Sequence, residues 1–312
     1  MDHLQEQLDP VNGNGHDDMA NTALGLTDTG RDNVDDSRNI KILLYHRIVE
    51  DKKLLKTDTA NLCTHVDQFR YHLEILEMFG YTPITLHDYQ LYLQGEVHLP
   101  RKPIIITFDD GYLDTFNLAY PALHERGMTA VFFVLGDRTL EWNEWDADIS
   151  IEPAPLMDDD LIRELHQQGF EIGSHTLSHP DLTRVPEWEA WREIGQSKSN
   201  LTELLGEPIH SFSYPYSSVD DKIRSFARTI GYSFACSVYT GPPEFGKEPH
   251  EIRRIEIHND ISLFGFMTRL LLPVEQVYWS WWKMMSTIDS ERFSGTAMEH
   301  DGGGVQNGGT GT

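Results

Sequence analysis

Two stretches of this chain hold residues whose types and spacing could do chemistry. The first is Thr107-Phe108-Asp109-Asp110-Gly111, which follows the apolar run Pro103-Ile104-Ile105-Ile106. A β-branched run that ends in two carboxylates and a glycine predicts a buried strand delivering charge to the mouth of a site. Successive strand residues face opposite sides, so Asp109 and Asp110 are expected to do different jobs, one binding a metal and the other handling a proton. The second stretch is Gly173-Ser174-His175-Thr176-Leu177-Ser178-His179-Pro180, after Phe170-Glu171-Ile172. Imidazoles four residues apart fall on one side of a helical turn. With one carboxylate they make the donor set that binds a catalytic metal and leaves a position open. Taken singly, an Asp-Asp pair is usually a turn or helix cap, and a His-x-x-x-His is usually a surface pair. Their joint placement at strand ends gives them weight.

The elements that must position these groups follow from periodicity. Ile40 to His46 predicts a first strand, and His46 at its end is either a core histidine or a group facing the site. Val66 to Phe79 has apolar residues at helical spacing and stops at Gly80. A short strand at Tyr81 to Leu86 and a helix at His87 to Leu93 come next. Beyond the Pro103 strand, the pattern predicts a helix over Tyr112 to Arg126 and a buried strand over Ala130 to Leu135. The stretch from 136 to 157, with Trp142 and Trp145, is too irregular for a simple connection, and its aromatics could stack on a sugar ring or pack as a lid. Helices at Asp158 to Gln168, Pro186 to Leu205, Val219 to Ile230 and Ser262 to Leu272 are expected. Strands at His210 to Tyr214, Tyr232 to Val238 and Ile252 to Ile257 alternate with them. Strand and helix in alternation predict one α/β domain, a single distorted (β/α) barrel of about seven strands with its site at the strands' C-terminal ends. Asp109, Asp110, His175, His179, Tyr216 and His258 all fall just after predicted strands.

Composition bounds the partners. A formal charge of −25 over 312 residues excludes nucleic acid and anionic membranes as expected partners, since both need a basic surface. Cys63 and Cys236 are expected to be buried free thiols. No basic and apolar leader is legible and no apolar run approaches about 18 residues, so a cytoplasmic location without a transmembrane segment is expected. The boundaries expected are a disordered acidic arm over 1–38, a folded domain over 39–273, an aromatic extension over 274–298 and a Gly-rich tail over 299–312. Composition does not indicate an oligomeric state.

At these motifs the chain resembles the polysaccharide deacetylases, carbohydrate esterase family four, also called the NodB homology domain. Thr107 to Gly111 is similar to their first motif, His175 to His179 to their second, and Ser213-Tyr214-Pro215-Tyr216 to their third. The resemblance runs from about Ile40 to Leu272. Tyr45-His46-Arg47-Ile48 and Arg253-Arg254-Ile255 look most like the branch that trims exopolysaccharides such as poly-N-acetylglucosamine. The resemblance implies Asp110, His175 and His179 as ligands of Zn2+ or another divalent ion such as Co2+, Ni2+ or Fe2+, with Asp109 as general base. It places an oxyanion-binding N–H at Tyr216, and it makes His258 the general acid, with His46 as second choice. His46, Tyr216, Trp142 and Trp145 are the expected substrate contacts. Two positions depart from the family pattern. Ser213 stands where an arginine usually holds the catalytic carboxylate, and Arg254 is the expected replacement. Ser217 stands where a glycine is usual. The function expected is removal of N-acetyl groups from an N-acetylated carbohydrate, with acetate released. Hydrolysis of a small non-sugar amide, or carbohydrate binding without turnover, are the alternatives.

Overall fold

A computed structural model describes residues 40–57, 60–149, 153–242 and 245–272. The expected arm, the aromatic extension and the tail lie outside these residues. Among them an eight-stranded sheet forms the centre. Its strands are β1 (Lys41–Tyr45), β4 (Thr82–Pro83), β5 (Pro103–Phe108), β6 (Val131–Val134), β7 (Glu171–Ser174), β8 (Ser211–Ser213), β9 (Phe234–Cys236) and β10 (Ile255–Glu256). They run in the order β10-β1-β5-β6-β7-β8-β9, with β4 beside β5. Every pairing is parallel. The path nearly closes on itself, because Ile252, leading into β10, bridges Cys236 of β9. The result is the expected distorted (β/α) barrel.

All six residues of β5 are buried, which is why its sequence is a continuous apolar run rather than an alternating one. Helices α1 (Val66–Met78), α2 (Leu86–Leu93), α4 (Asp159–Gln167), α5 (Glu187–Leu205), α6 (Asp221–Ile230) and α7 (Leu263–Leu271) take up the segments that periodicity indicated. Asp158 caps α4 by accepting the N–H groups of Asp160 and Leu161, 3.1 and 3.0 Å away, and Thr85 and Asp88 form a reciprocal capping box on α2. The helix expected over Tyr112 to Arg126 forms over residues 113–124, with its middle turn wound wider than an α-helix. A wide turn at Thr115–Ala119 leads into the short α3 (Tyr120–His124). Pro121 near the start of α3 has no N–H to continue a regular ladder. A small parallel pair, β2 (Arg47–Val49) with β3 (Cys63–His65), was not apparent in the periodicity, because three residues are too few to show a period. Cys63 and Cys236 are free and buried.

Burial keeps a core histidine neutral. His72 on α1 is fully buried, its Nδ1 lies 3.0 Å from the Tyr45 hydroxyl, and its ring stacks on Phe266 of α7 at 4.0 Å. Burial pushes its imidazole down to about 4. Between that value and the ordinary one near 6.5 the unfolded chain takes up a proton that the folded one refuses. The stability due to neutral His72 is therefore present above pH 6.5 and lost as pH falls toward 4, by up to about 3 kcal/mol. Denaturant unfolding of His72→Phe across this window should show a visibly shallower pH dependence than the unsubstituted protein. Parallel pH curves would assign the acid sensitivity to other groups.

Candidate metal centre

Since all strands of the sheet are parallel, their C-terminal ends meet at one end of the barrel, where polar groups from distant parts of the sequence can converge. A cleft of about 160 Å3 opens there, lined among others by His46, Asp109, Asp110, Trp145, His175, His179, Tyr216 and Arg254.

The local backbone is unusual. The non-glycine residues with positive φ among the described residues are Asp110, Thr176, His179, Tyr216 and Ser217, and each is a cleft residue or belongs to a turn that carries one. Such conformations cost free energy and persist only where surrounding structure imposes them. They correct two expectations. β5 ends at Phe108, and the left-handed turn at Asp110 (φ 74°) brings both carboxylates to the same cleft, so strand alternation does not separate them. His175 and His179 sit on no helix. His175 follows the end of β7, and left-handed residues at Thr176 and His179 fold the chain back so that the rings meet with centroids 4.9 Å apart. Gly111 has φ 75°, and a Cβ there would lie 3.2 Å from Val134 Cγ1, which accounts for the glycine after the two acids.

Asp110, His175 and His179 are all buried, and their ligand atoms lie within 4.8 Å of one another. Asp110 Oδ1 is 3.1 Å from His175 Nε2 and 3.3 Å from His179 Nε2, and it is a buried acceptor with no hydrogen-bond partner. His175 Nδ1 donates to the Ser213 carbonyl at 2.8 Å, which fixes its tautomer and leaves Nε2 free to ligate. An anionic oxygen left without a partner between two imidazole nitrogens fits a divalent cation. Burial pushes the Asp110 carboxyl up, but the two imidazoles outweigh it and hold the group well below the ordinary carboxylate range.

Asp109 belongs to a different network. Arg254 Nη1 and Nη2 donate to its two oxygens at 2.7 and 2.6 Å. The remaining Arg254 donors reach Ser213 Oγ at 2.8 Å, Thr107 Oγ1 at 3.2 Å and the Ser237 carbonyl at 3.1 Å. All five N–H bonds of the guanidinium thus have acceptors. Ser213 Oγ in turn donates to Asp109 Oδ2 at 2.9 Å. Burial would raise the Asp109 carboxyl, yet the charges of Arg254 and His175 hold it below the usual value. The serine in the third motif is thereby explained, because the small side chain leaves room for a guanidinium that arrives from the segment before β10.

The other expected residues divide. His46, Tyr216 and Trp145 line the cleft, with the rings of Trp145 and Tyr216 at 4.6 and 4.7 Å from that of His179. Trp142 does not line it. That residue is 45% exposed and its backbone bridges Pro155 at the base of the loop. His258 does not itself line the cleft, although it lies beside Glu256, which does. Its Nδ1 is 2.9 Å from the Asn61 carbonyl and its Nε2 is 3.6 Å from Glu256, because the chain turns toward the 60–62 segment as it leaves β10. The cleft also contains Asp146, Tyr239 and Glu256, which the sequence did not single out. Asp146 is buried beside Asn143, whose Nδ2 donates to it at 3.0 Å. Its only sequence signal was an acid within the irregular aromatic loop.

Comparison with known proteins places this geometry. Residues 96–235 match the family model described as polysaccharide deacetylase. The chain is 25% identical over 227 residues to YxkH of Bacillus subtilis, whose name places it provisionally among polysaccharide deacetylases, covering 73% of this chain and 74% of that one. It is 28% identical over 136 residues to chitin deacetylase 1 of Cryptococcus neoformans, covering 43% of this chain but only 26% of the relative. A solved structure of the Streptococcus pyogenes deacetylase PplD with acetate superposes with a TM-score of 0.63 at 22% identity, over 75% of this chain and 98% of that one, and so shares its fold.

Proposed function

From the match of residues 96–235 to the polysaccharide deacetylase family model, we propose that this chain is a polysaccharide deacetylase that removes N-acetyl groups from an N-acetylated sugar polymer by metal-dependent hydrolysis, releasing acetate. The observation that carries this reading is the buried Asp110-His175-His179 cluster set beside a second carboxylate with separate partners. Asp110, His175 and His179 are the residues to hold Zn2+, or Co2+, Ni2+ or Fe2+ in its place. When bound, such an ion supplies a Lewis acid for the amide carbonyl and makes water more acidic.

Asp109 then takes the proton from water as its oxygen attacks the carbonyl carbon. The carboxylate is suited to this because Arg254 keeps it ionised and fixed in direction. The N–H of Tyr216, in the left-handed turn after Pro215, is the donor assigned to the developing oxyanion. As the carbon–nitrogen bond breaks, the departing amine needs a proton, and His46 is the histidine of the cleft free of the metal set. His258 does not line the cleft and is not assigned this task. Trp145 and the half-exposed Tyr216 offer flat apolar faces for a pyranose ring. A substrate of the exopolysaccharide type, such as poly-N-acetylglucosamine, accords with the segments around His46 and Arg254.

The test is acetate release from N-acetylglucosamine oligomers of several lengths, before and after metal removal by a chelator. Release should cease on chelation and return with added Zn2+ or Co2+. His175→Ala, which removes one of three ligands, should stay folded yet lose stoichiometric metal by elemental analysis. Full metal content in that variant overturns the ligand set, and acetate release that is indifferent to chelation overturns the metal-dependent reading.

A further inference from the structure

The turn between the two histidines is held from outside by the segment after β6, where the Gly136 and Asp137 N–H groups donate to the Thr176 and Leu177 carbonyls at 2.8 and 3.1 Å, and by the side chains of one helix. Thr176 and His179 both have positive φ. Within the turn, Thr176 Oγ1 accepts the N–H of His179 at 3.0 Å and donates to the His175 carbonyl. Two further amides of the turn are taken by Glu193, on α5. Its Oε2 accepts the N–H groups of Leu177 and Ser178, each at 2.9 Å, and its Oε1 accepts the Ser178 hydroxyl at 3.1 Å. Glu193 is 1% exposed. A carboxylate so buried is costly unless hydrogen bonds replace its water, and here the turn supplies three of them. Arg192 next to it comes only to 3.4 Å. One helical turn further on the same face, Ser197 Oγ hydrogen-bonds Ser174 Oγ at 2.7 Å, immediately before His175. α5 therefore grips the histidine segment on both sides, through Ser197 before the first imidazole and Glu193 before the second.

We propose that Glu193 is a positioning residue for the metal centre, whose carboxylate holds the strained turn in the one conformation that points His179 at Asp110 and His175. The proposal rests on the metal-binding reading above. It assigns Glu193 no contact with substrate or metal; it acts through the backbone of Leu177 and Ser178. What matters is reach. A side chain that brings an acceptor oxygen to those two N–H groups preserves the site, and one that falls short does not.

The full-length protein, stripped and reloaded, tests this through its dissociation constant for Zn2+ by chelator competition and through the visible absorption spectrum with Co2+ bound. Glu193→Ala should bind Zn2+ about 10–100-fold more weakly, the range typical for groups that orient ligands, with an altered Co2+ spectrum. Glu193→Gln keeps the length and a carbonyl oxygen for the two amides, and should stay within about threefold of the unsubstituted protein, well below that range. Glu193→Asp keeps the charge but is one methylene short, and should resemble Glu193→Ala. The ranking of Gln above Asp keeps the test decisive even where the alanine variant does not fold, because a purely structural buried charge would favour Asp. Glu193→Asp binding as tightly as Glu193→Gln, or an unchanged spectrum in Glu193→Ala, overturns the proposal. Absence of metal from the unsubstituted protein is a separate result, and it counts against the metal reading itself.

Discussion

Asp109→Asn is expected to lower turnover by about a hundredfold or more while leaving bound metal near its original level. Asparagine keeps the shape of the side chain and can still meet Ser213, but it cannot take a proton from water. Metal should be retained because Asp110, His175 and His179 make up the buried donor set, whereas the Asp109 oxygens are engaged by Arg254 and Ser213. Asp110→Asn should behave differently. It replaces the anionic donor by a neutral amide, so metal affinity itself should fall, and excess metal should restore part of the rate. Bound metal and acetate release, followed for both variants across a metal titration, separate the two carboxylates. Loss of metal from Asp109→Asn with retention in Asp110→Asn would exchange their tasks. Unchanged hydrolysis in both would place the chemistry elsewhere.

Arg254→Met should be the most destabilising single change at the site, by about 3–5 kcal/mol. The pair it breaks is nearly inaccessible, with Arg254 2% and Asp109 3% exposed. Removing the guanidinium leaves a buried carboxylate with Ser213 as its remaining hydrogen-bonded side chain. That carboxylate should then titrate upward, since burial is the largest influence on it and Arg254 the largest opposing one. A base with a higher pKa reaches its active form at higher pH, so the acid limb of the rate profile should move to higher pH in the folded fraction of this variant. Asp109→Asn combined with Arg254→Met removes both charges and should recover part of the lost stability, although not the activity. Denaturant melts of the two single variants and the double variant measure the coupling. Strictly additive losses would mean that the two side chains are held independently of each other.

Much of the fold was legible because it rests on local periodicity. The continuous apolar runs of β5 and β6 and the helical spacing in α1 and α4 are short-range patterns, and each burial pattern agrees with them. Where the expectation failed, the cause lay beyond such patterns. The wide turn ahead of Pro121 within one expected helix left no mark in the period, and β2 and β3 pair only because the chain returns after an intervening segment. His258 shows the limit at the site. Its position after a strand suggested the cleft, but only the direction in which the chain leaves β10 decides where a side chain two residues later points.

By itself the sequence determined the donor types, the parallel α/β architecture and the association of Asp109, Asp110, His175 and His179 with strand ends. Residue chemistry and hydrophobic period are properties of neighbouring residues, and they survive in a one-dimensional reading. Tertiary structure alone decided how the groups are shared out. Left-handed turns at Asp110, Thr176 and His179 override strand and helix geometry and gather three ligands around one point. Arg254, far from Asp109 in sequence, pairs with it because β10 and β5 both flank β1. Glu193 and Ser197 became visible as supports only once α5 lay against the histidine turn. Long-range contacts of this kind are set by how the barrel closes, and no local pattern along the chain encodes which side chains that closure brings together.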